Sequence, residues 1–379
     1  MLPLYNTPGV YRQEIFLQPE AHLPTGVPGF VGFANASGQG GPAVNMPVVL
    51  HRKEEFAAHF GSRPESYLAD AITGFFDNGG VRCYVVRAAL SADRVTALHH
   101  ALGALTTLSD LDLVAMPDTM SLHPDVAAIA QVQRQMLTHC AEHGDRLAIL
   151  DAVPGGTSAG VLEQCDQLMI GQAEPVNAAL YHPWLRTVSG RLVPPSGHVA
   201  GIFARSDARV GVFKAPANEE VFGVLDLETN IDNSIQDQLN PAGVNCLRAF
   251  RGRGIRVWGA RTLSRDPNWR YVSVRRLFLT LRRWIDLHMA WATFEPNEPR
   301  LWARIQRELT TYLTQLLRAG ALKGATPEQA FYVKCDAETN PSERREVGQI
   351  VTDIGLAPLA PAEFIVVRVI HRAGTTAIA

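Results

Sequence analysis

The sequence predicts an α/β unit built on a largely parallel sheet, followed by an α+β unit of long helices and a small sheet. Three observations carry this. Between Cys83 and Leu185, short apolar runs alternate with stretches of helical periodicity, the pattern of strands joined by crossover helices and covered on both faces. From Trp269 to Gly320 the pattern becomes two long amphipathic stretches, and three strand-like runs follow. Both ends of the chain read as extended rather than helical.

Taken in order, Met1 to Pro24 holds four prolines and no helical period, and Pro8-Gly9 before Val10 to Ile15 reads as a turn and then a strand. So short a terminal strand needs a sheet edge to join. Gly26 to Ala34 is a second, more apolar strand. Phe56 and Phe60, then Tyr67, Ala71 and Phe75, recur at helical spacing, and Asn78-Gly79-Gly80 stops the helix. Strands follow at Cys83–Ala88, Leu111–Met116, Arg146–Val153 and Ala178–Leu185, with helices at Asp125–His143 and Ser158–Gly171 between them. The two long helices are Trp269–Ala292 and Glu298–Gly320, separated by Pro296-Asn297, with Gly320 as the cap. Phe331–Asp336, Gln349–Ile354 and Phe364–Ile370 read as strands, and the tail beyond Arg372 does not.

A chain of 379 residues suits two domains, or one with a large insertion. A net charge of −2 gives no basic excess for nucleic acid. The five cysteines are scattered and never spaced as CxxC, which fits buried free thiols in a reducing compartment. The N-terminus lacks a basic start before an apolar core, so no signal peptide is expected. No apolar run reaches about 18 residues, so no membrane insertion is expected. These features place synthesis in the cytoplasm.

Four motifs bear on possible chemistry. His139, Glu142 and His143 match H-x-x-E-H, which puts both histidines on one helical face as zinc ligands would need. No third ligand is indicated, and the bland reading is the last turn of a helix ending at Gly144, where cationic His suits the dipole. Gly155 to Gly160 lies between a strand and a helix, where phosphate loops sit. It lacks both G-x-G-x-x-G and G-K-[ST], so a turn with Thr157 or Ser158 as N-cap is the simpler account. Ser196-Gly197-His198 is no nucleophile elbow. Arg251 to Gly254 could bind phosphate, or form a corner whose arginines pair with carboxylates. No cofactor or metal is expected. The helix from Trp269 carries Arg270, Arg275, Arg276, Arg282 and Arg283 against Asp286 alone, a solvated face or a docking surface for an acidic partner.

The stretch from Leu239 to Ser273 is dense in Gly, Arg, Trp and Asn without any catalytic constellation. It resembles the signature of contractile tail sheath proteins, the outer-tube subunits of contractile phages, R-type pyocins and extracellular contractile injection systems. Similar blocks occur in order along the chain: Pro8-Gly9-Val10-Tyr11, Thr25 to Gly32, Phe75 to Gly80, Tyr181 to Trp184, Val193 to Gly201, Lys214 to Asn218, Val257 to Leu263, Phe294 to Asn297 and Pro361 to Phe364. The resemblance implies a non-enzymatic subunit that polymerises helically around an inner tube. Such a subunit contracts from a metastable extended state and drives the tube through a target membrane.

It divides the chain into an extended arm (1–20), an outer α/β domain (21–240), an inner, tube-facing α+β domain (241–362) and a C-terminal strand and tail (363–379). It implies inter-subunit pairing through Pro8, Gly9, Val10, Tyr11, Glu14 and Ile15, and through Phe364, Ile365, Val366, Val367, Arg368, Val369 and Ile370. Arg275, Arg276, Arg282 and Arg283 are the expected tube contact. The implied partners are copies of itself, the inner tube protein, and baseplate and tail-terminator or cap proteins, within a phage tail or tail-like particle that can be released from the cell. A sheath-fold cap or baseplate protein, forming a single closed ring, is the alternative, with a zinc-dependent α/β hydrolase behind it.

Overall fold

Eight strands form the main sheet of the computed structural model, which describes residues 23–36, 41–61, 63–172, 174–363, 369–372 and 375–378. They are β1 (Pro28–Gly32), β2 (Pro47–Leu50), β3 (Cys83–Arg87), β4 (Leu113–Ala115), β5 (Leu147–Asp151), β6 (Ala178–His182), β7 (Val244–Phe250) and β8 (Gly254–Trp258). Their spatial order is β8-β7-β6-β5-β4-β1-β3-β2. The edge strands β2 and β8 run antiparallel to their neighbours, and every inner pairing is parallel.

Alternate residues of each strand serve opposite faces. Phe30, Val85, Leu113 and Tyr181 pack with Phe75 of helix α1 (Leu68–Asp77) and Phe203 of a later helix, α5 (Ser196–Arg209). Val31, Val86, Val114 and Leu180 pack with α2 (Arg94–Gly103), α3 (Val126–His143) and α4 (Ser158–Met169). Because both faces are covered, the strands read as nearly unbroken apolar runs. Local signals set the helix ends. Asp93, Asp125 and Thr157 accept from the first-turn amides of α2, α3 and α4, and Gly144 closes α3 at a φ of 62°.

The second unit is built on α6 (Val272–His288) and α7 (Pro299–Arg318). Trp284 of α6 stacks on Tyr312 of α7 with ring centroids 4.1 Å apart. Strands β9 (Phe331–Lys334) and β10 (Asp353–Leu356) pair antiparallel beside them. Helix α6 joins the two units: Val272 and Leu279 belong to the core beneath the main sheet, whereas Leu277, Leu281 and Trp284 belong to the core shared with α7.

The structure differs from the sequence expectation in three places. Strands β7 and β8 pair into the main sheet, so a division between 240 and 241 would cut that sheet; the change of architecture falls after Trp258. The strand expected at Gln349–Ile354 starts at Asp353, because Val351 exchanges both of its backbone hydrogen bonds with the Asn340 side chain. The tail is not strandless: Thr375–Ile378 pairs antiparallel with Val369–Arg372. The expected arm, Pro8 to Ile15, and the stretch from Phe364 to Arg368 lie outside the described residues, while Val369 and Ile370 are in strand.

Candidate functional site

Several residues of the Leu239–Ser273 signature converge on one corner centred on the buried Asn245, Arg261 and Thr262. Asn245 on β7 has no exposed surface. Its amide donates to the carbonyls of Leu180 (3.2 Å) and Arg261 (2.8 Å), and its Oδ1 accepts from the Arg261 amide at 2.7 Å. Gly259 lies against it so closely that a Cβ would stand 2.8 Å from Asn245 Oδ1 and 2.9 Å from its Cα. Thr262 continues the corner, donating its amide to Arg270 O and its hydroxyl to Trp269 O.

Arg261 is 8% exposed. Its Nε donates to Glu363 at 2.9 Å, a second branch reaches the same carboxylate, and Nη1 donates to Asn240 O at 2.9 Å. The hydrogen bonds to Glu363, against the cost of burial, hold this guanidinium above its ordinary pKa. Two blocks that are 102 residues apart in sequence thereby become one forked ion pair.

A second charged cluster is more deeply buried. Arg276 of α6, 2% exposed, donates to Asp207 of α5 at 2.7 Å and to Asp112, before β4, at 2.7 Å. Burial alone would lower its pKa, but Asp207 and Asp112 outweigh that and keep the cation firmly charged. Asp112 also accepts from the amides of Gly26 (3.1 Å) and Val27 (2.7 Å).

The expected arginine stripe is therefore not one exposed face. Arg276 and Arg283 are buried, Arg283 donating to Pro24 O at 3.0 Å. Arg275 is half-buried on Asn177 Oδ1 (2.6 Å) and above the Trp269 ring. Only Arg282 of these four stands in solvent. The helix phase that carries Leu277 and Trp284 inward turns Arg276 and Arg283 inward with them.

The chemical motifs are accounted for by packing. His139 and His143 do share a face, with ring centroids 4.5 Å apart. However, Arg146 Nη1 lies 3.3 Å from His139 Nε2, where it opposes a second cation. Burial, then Arg146, lowers the His139 pKa to about 3. The cationic His expected to suit the helix end is thus disfavoured, and His143 shifts downward for the same reasons. No group of three His, Cys, Asp or Glu gathers in metal-binding geometry among the described residues.

In the Gly155–Gly160 loop, the Gly155 amide donates to the Glu228 carboxylate at 2.7 Å, so an anion of the chain itself occupies it. Thr157 is the N-cap of α4. The Ser196–Gly201 run is a packing face: a Cβ on Gly197 would stand 2.3 Å from Ala71 Cα. Ser196 and His198 are both buried, and the Ser196 amide donates to Asp151 at 2.7 Å. Arg251 to Arg253 form the turn of the β7–β8 hairpin, where Arg253 donates to Asn218, and Arg256 of β8 approaches Glu220. The five cysteines are free and buried. Sequence reasoning missed Asp112 and Asp207; Glu363 was visible only as part of a family-like block.

Taken together, fold and site define a structural body whose characteristic residues fix backbone corners and charge clamps. Residues 109–263 match the phage tail sheath protein central domain, and residues 264–372 match the phage tail sheath C-terminal domain. The chain belongs to the phage tail sheath family and is a sheath subunit of a contractile injection system. It is 24% identical over 332 residues to a protein described as a prophage major tail sheath protein of Pseudomonas aeruginosa (strain UCBPP-PA14), covering 84% of each chain. It is 27% identical over 179 residues to the tail sheath protein of Vibrio phage KVP40, covering 46% of this chain and 26% of that one.

Among solved structures, it is similar to a chain of the contracted sheath complex of PVC, an extracellular contractile injection system. Identity there is 29% and the TM-score 0.77, covering 97% of this chain and 98% of that one. A chain of the contracted helical sheath of the anti-feeding prophage matches at 29% identity and a TM-score of 0.77, covering 96% and 99%. A chain of that particle's baseplate matches at 28% identity and a TM-score of 0.79, covering 97% and 100%. The two family matches meet between residues 263 and 264, just past the point where the main sheet ends.

Proposed function

We propose that this subunit polymerises with copies of itself into a sleeve of the extracellular-injection type, around an inner tube protein and between a baseplate and a cap. The similarity over nearly the whole chain to contracted helical sheaths supports this most directly. The subunit has no catalytic role in that reading, and it works within an assembled tail-like particle. Its stroke would draw on energy stored in subunit packing.

A helical sleeve needs heterologous contacts, one patch meeting a different one on the neighbour. Exposed apolar side chains at Val81, Val188, Leu225 and Phe294 supply candidate patches. The terminal segments, Pro8 to Ile15 and Phe364 to Ile370, would link subunits by adding strands to a neighbour's sheet, each main-chain hydrogen bond contributing ~1 kcal/mol net. The C-terminal domain would face the tube. With Arg276 and Arg283 buried, its contact is better supplied by Arg300, Arg307 and Arg318 on the exposed face of α7, with Arg282 the one exposed arginine left from α6.

Truncation tests the arm. Electron microscopy of the chain lacking residues 1–18, beside the intact chain, should show tubes only from the intact protein. Tubes from both would remove the N-terminal segment as a linker while leaving the sheath assignment in place.

A further inference from the structure

Pro24 and Glu363, which flank the two terminal segments, are each held by a buried arginine, and the two arginines stand on one continuous piece of chain. On the N-terminal side, Pro24 O accepts from Arg283, and the Gly26 and Val27 amides donate to Asp112, which Arg276 ties to Asp207. On the C-terminal side, Glu363 is held in the Arg261 fork. Between Arg261 and Arg283 the chain is braced on itself. Arg261 bridges Tyr271, the Val272 amide donates to Ala260 O at 2.9 Å, and α6 follows directly.

We propose that residues 261–283 form a bracket that fastens the roots of both terminal segments to each other, with Arg261, Arg276 and Arg283 as its positioning residues. Tension entering through one segment then passes to the other through this bracket rather than through the strands of the main sheet. The idea rests on the reading of the termini as inter-subunit linkers, but the mechanical coupling it asserts belongs to the single chain. Direct charged hydrogen bonds suit this task, because forked arginine–carboxylate pairs resist sliding in a way that apolar contacts do not.

The test is hydrogen exchange by mass spectrometry on the full chain, comparing wild type with Glu363→Gln, which keeps the side-chain shape and removes its charge. Breaking a largely buried charge pair should raise exchange near Asn240 and Arg261 by roughly tenfold or more. The bracket further predicts faster exchange at Gly26 and Val27, which Glu363 does not touch. Unchanged exchange at Gly26 and Val27, with the Arg261 region loosened, would overturn the coupling. Arg283→Met supplies the reverse arm: it should accelerate proteolysis on the C-terminal side of Glu363 while the melting transition persists, and unaltered cleavage there would also overturn it. Arg276→Met is avoided in this test because it strands two buried carboxylates. A chain that fails to polymerise would sink the linker reading without touching these measurements, and a polymerising chain without the coupled exchange would sink only the bracket.

Discussion

Replacing Asn245 by Ala removes the three hydrogen bonds that close the signature corner. At ~1 kcal/mol net for each bond, the direct loss is about 3 kcal/mol. The Arg261 amide is then left buried without an acceptor, which adds about 1–2 kcal/mol and brings the cost to about 4–5 kcal/mol. Against a typical domain stability of ~5–15 kcal/mol, such a loss is severe. Asn245→Asp restores the acceptor but sets a carboxylate against the carbonyls of Leu180 and Arg261, so it should rescue little. Urea unfolding followed by tryptophan fluorescence measures both, with Trp258 close to the corner. A cost for Asn245→Ala below about 1 kcal/mol would refute the claim that this side chain organises the corner.

Three further outcomes follow from the same geometry. Arg276→Met should destabilise by about 3–5 kcal/mol by leaving Asp112 and Asp207 buried without their cation, and adding Asp207→Asn should recover part of that in the same unfolding assay. Gly259→Ala should cost about 1–3 kcal/mol, because the new Cβ meets Asn245 rather than open space; a neutral result in thermal melts would contradict the close approach. Burial pushes the Asp151 carboxyl up to about 7, whereas in the unfolded chain it titrates near 4. Between those values the fold holds a proton that the unfolded chain has lost, so this group's contribution to stability falls as pH rises through the window and levels off above it. Asp151→Asn lacks that titration, so its stability relative to wild type should rise by up to about 1.4 kcal/mol per pH unit between pH 4 and 7. Parallel stability-versus-pH curves for the two proteins would contradict the shift.

The α/β core was legible because its signals are local. The apolar runs around Phe30, Val85, Val114 and Ile149, the caps at Asp125 and Thr157, and the stop at Gly144 each act over a few residues. The clamps were not, because Arg276 finds its partners 69 and 164 residues away and a basic helix gives no hint of which arginines turn inward. Helical phase relative to Leu277 and Trp284 was the available clue. The H-x-x-E-H spacing correctly placed His139 and His143 on one face, but burial, together with Arg146 beyond the helix end, decides their chemistry. A division at 240 cuts the main sheet because β7, with Asn245 and Arg248 among its residues, does not read as an unbroken apolar run of the covered sheet. Glu363 shows the reverse case: its block was recognisable, and its function as the counter-ion of Arg261 appears only in three dimensions.

The most direct measurement is electron microscopy of the intact purified chain alone. Self-assembly into a sleeve predicts hollow, striated tubes with a helical repeat. Uniform monomers or single closed rings would contradict it and turn the account toward a sheath-fold cap or baseplate component.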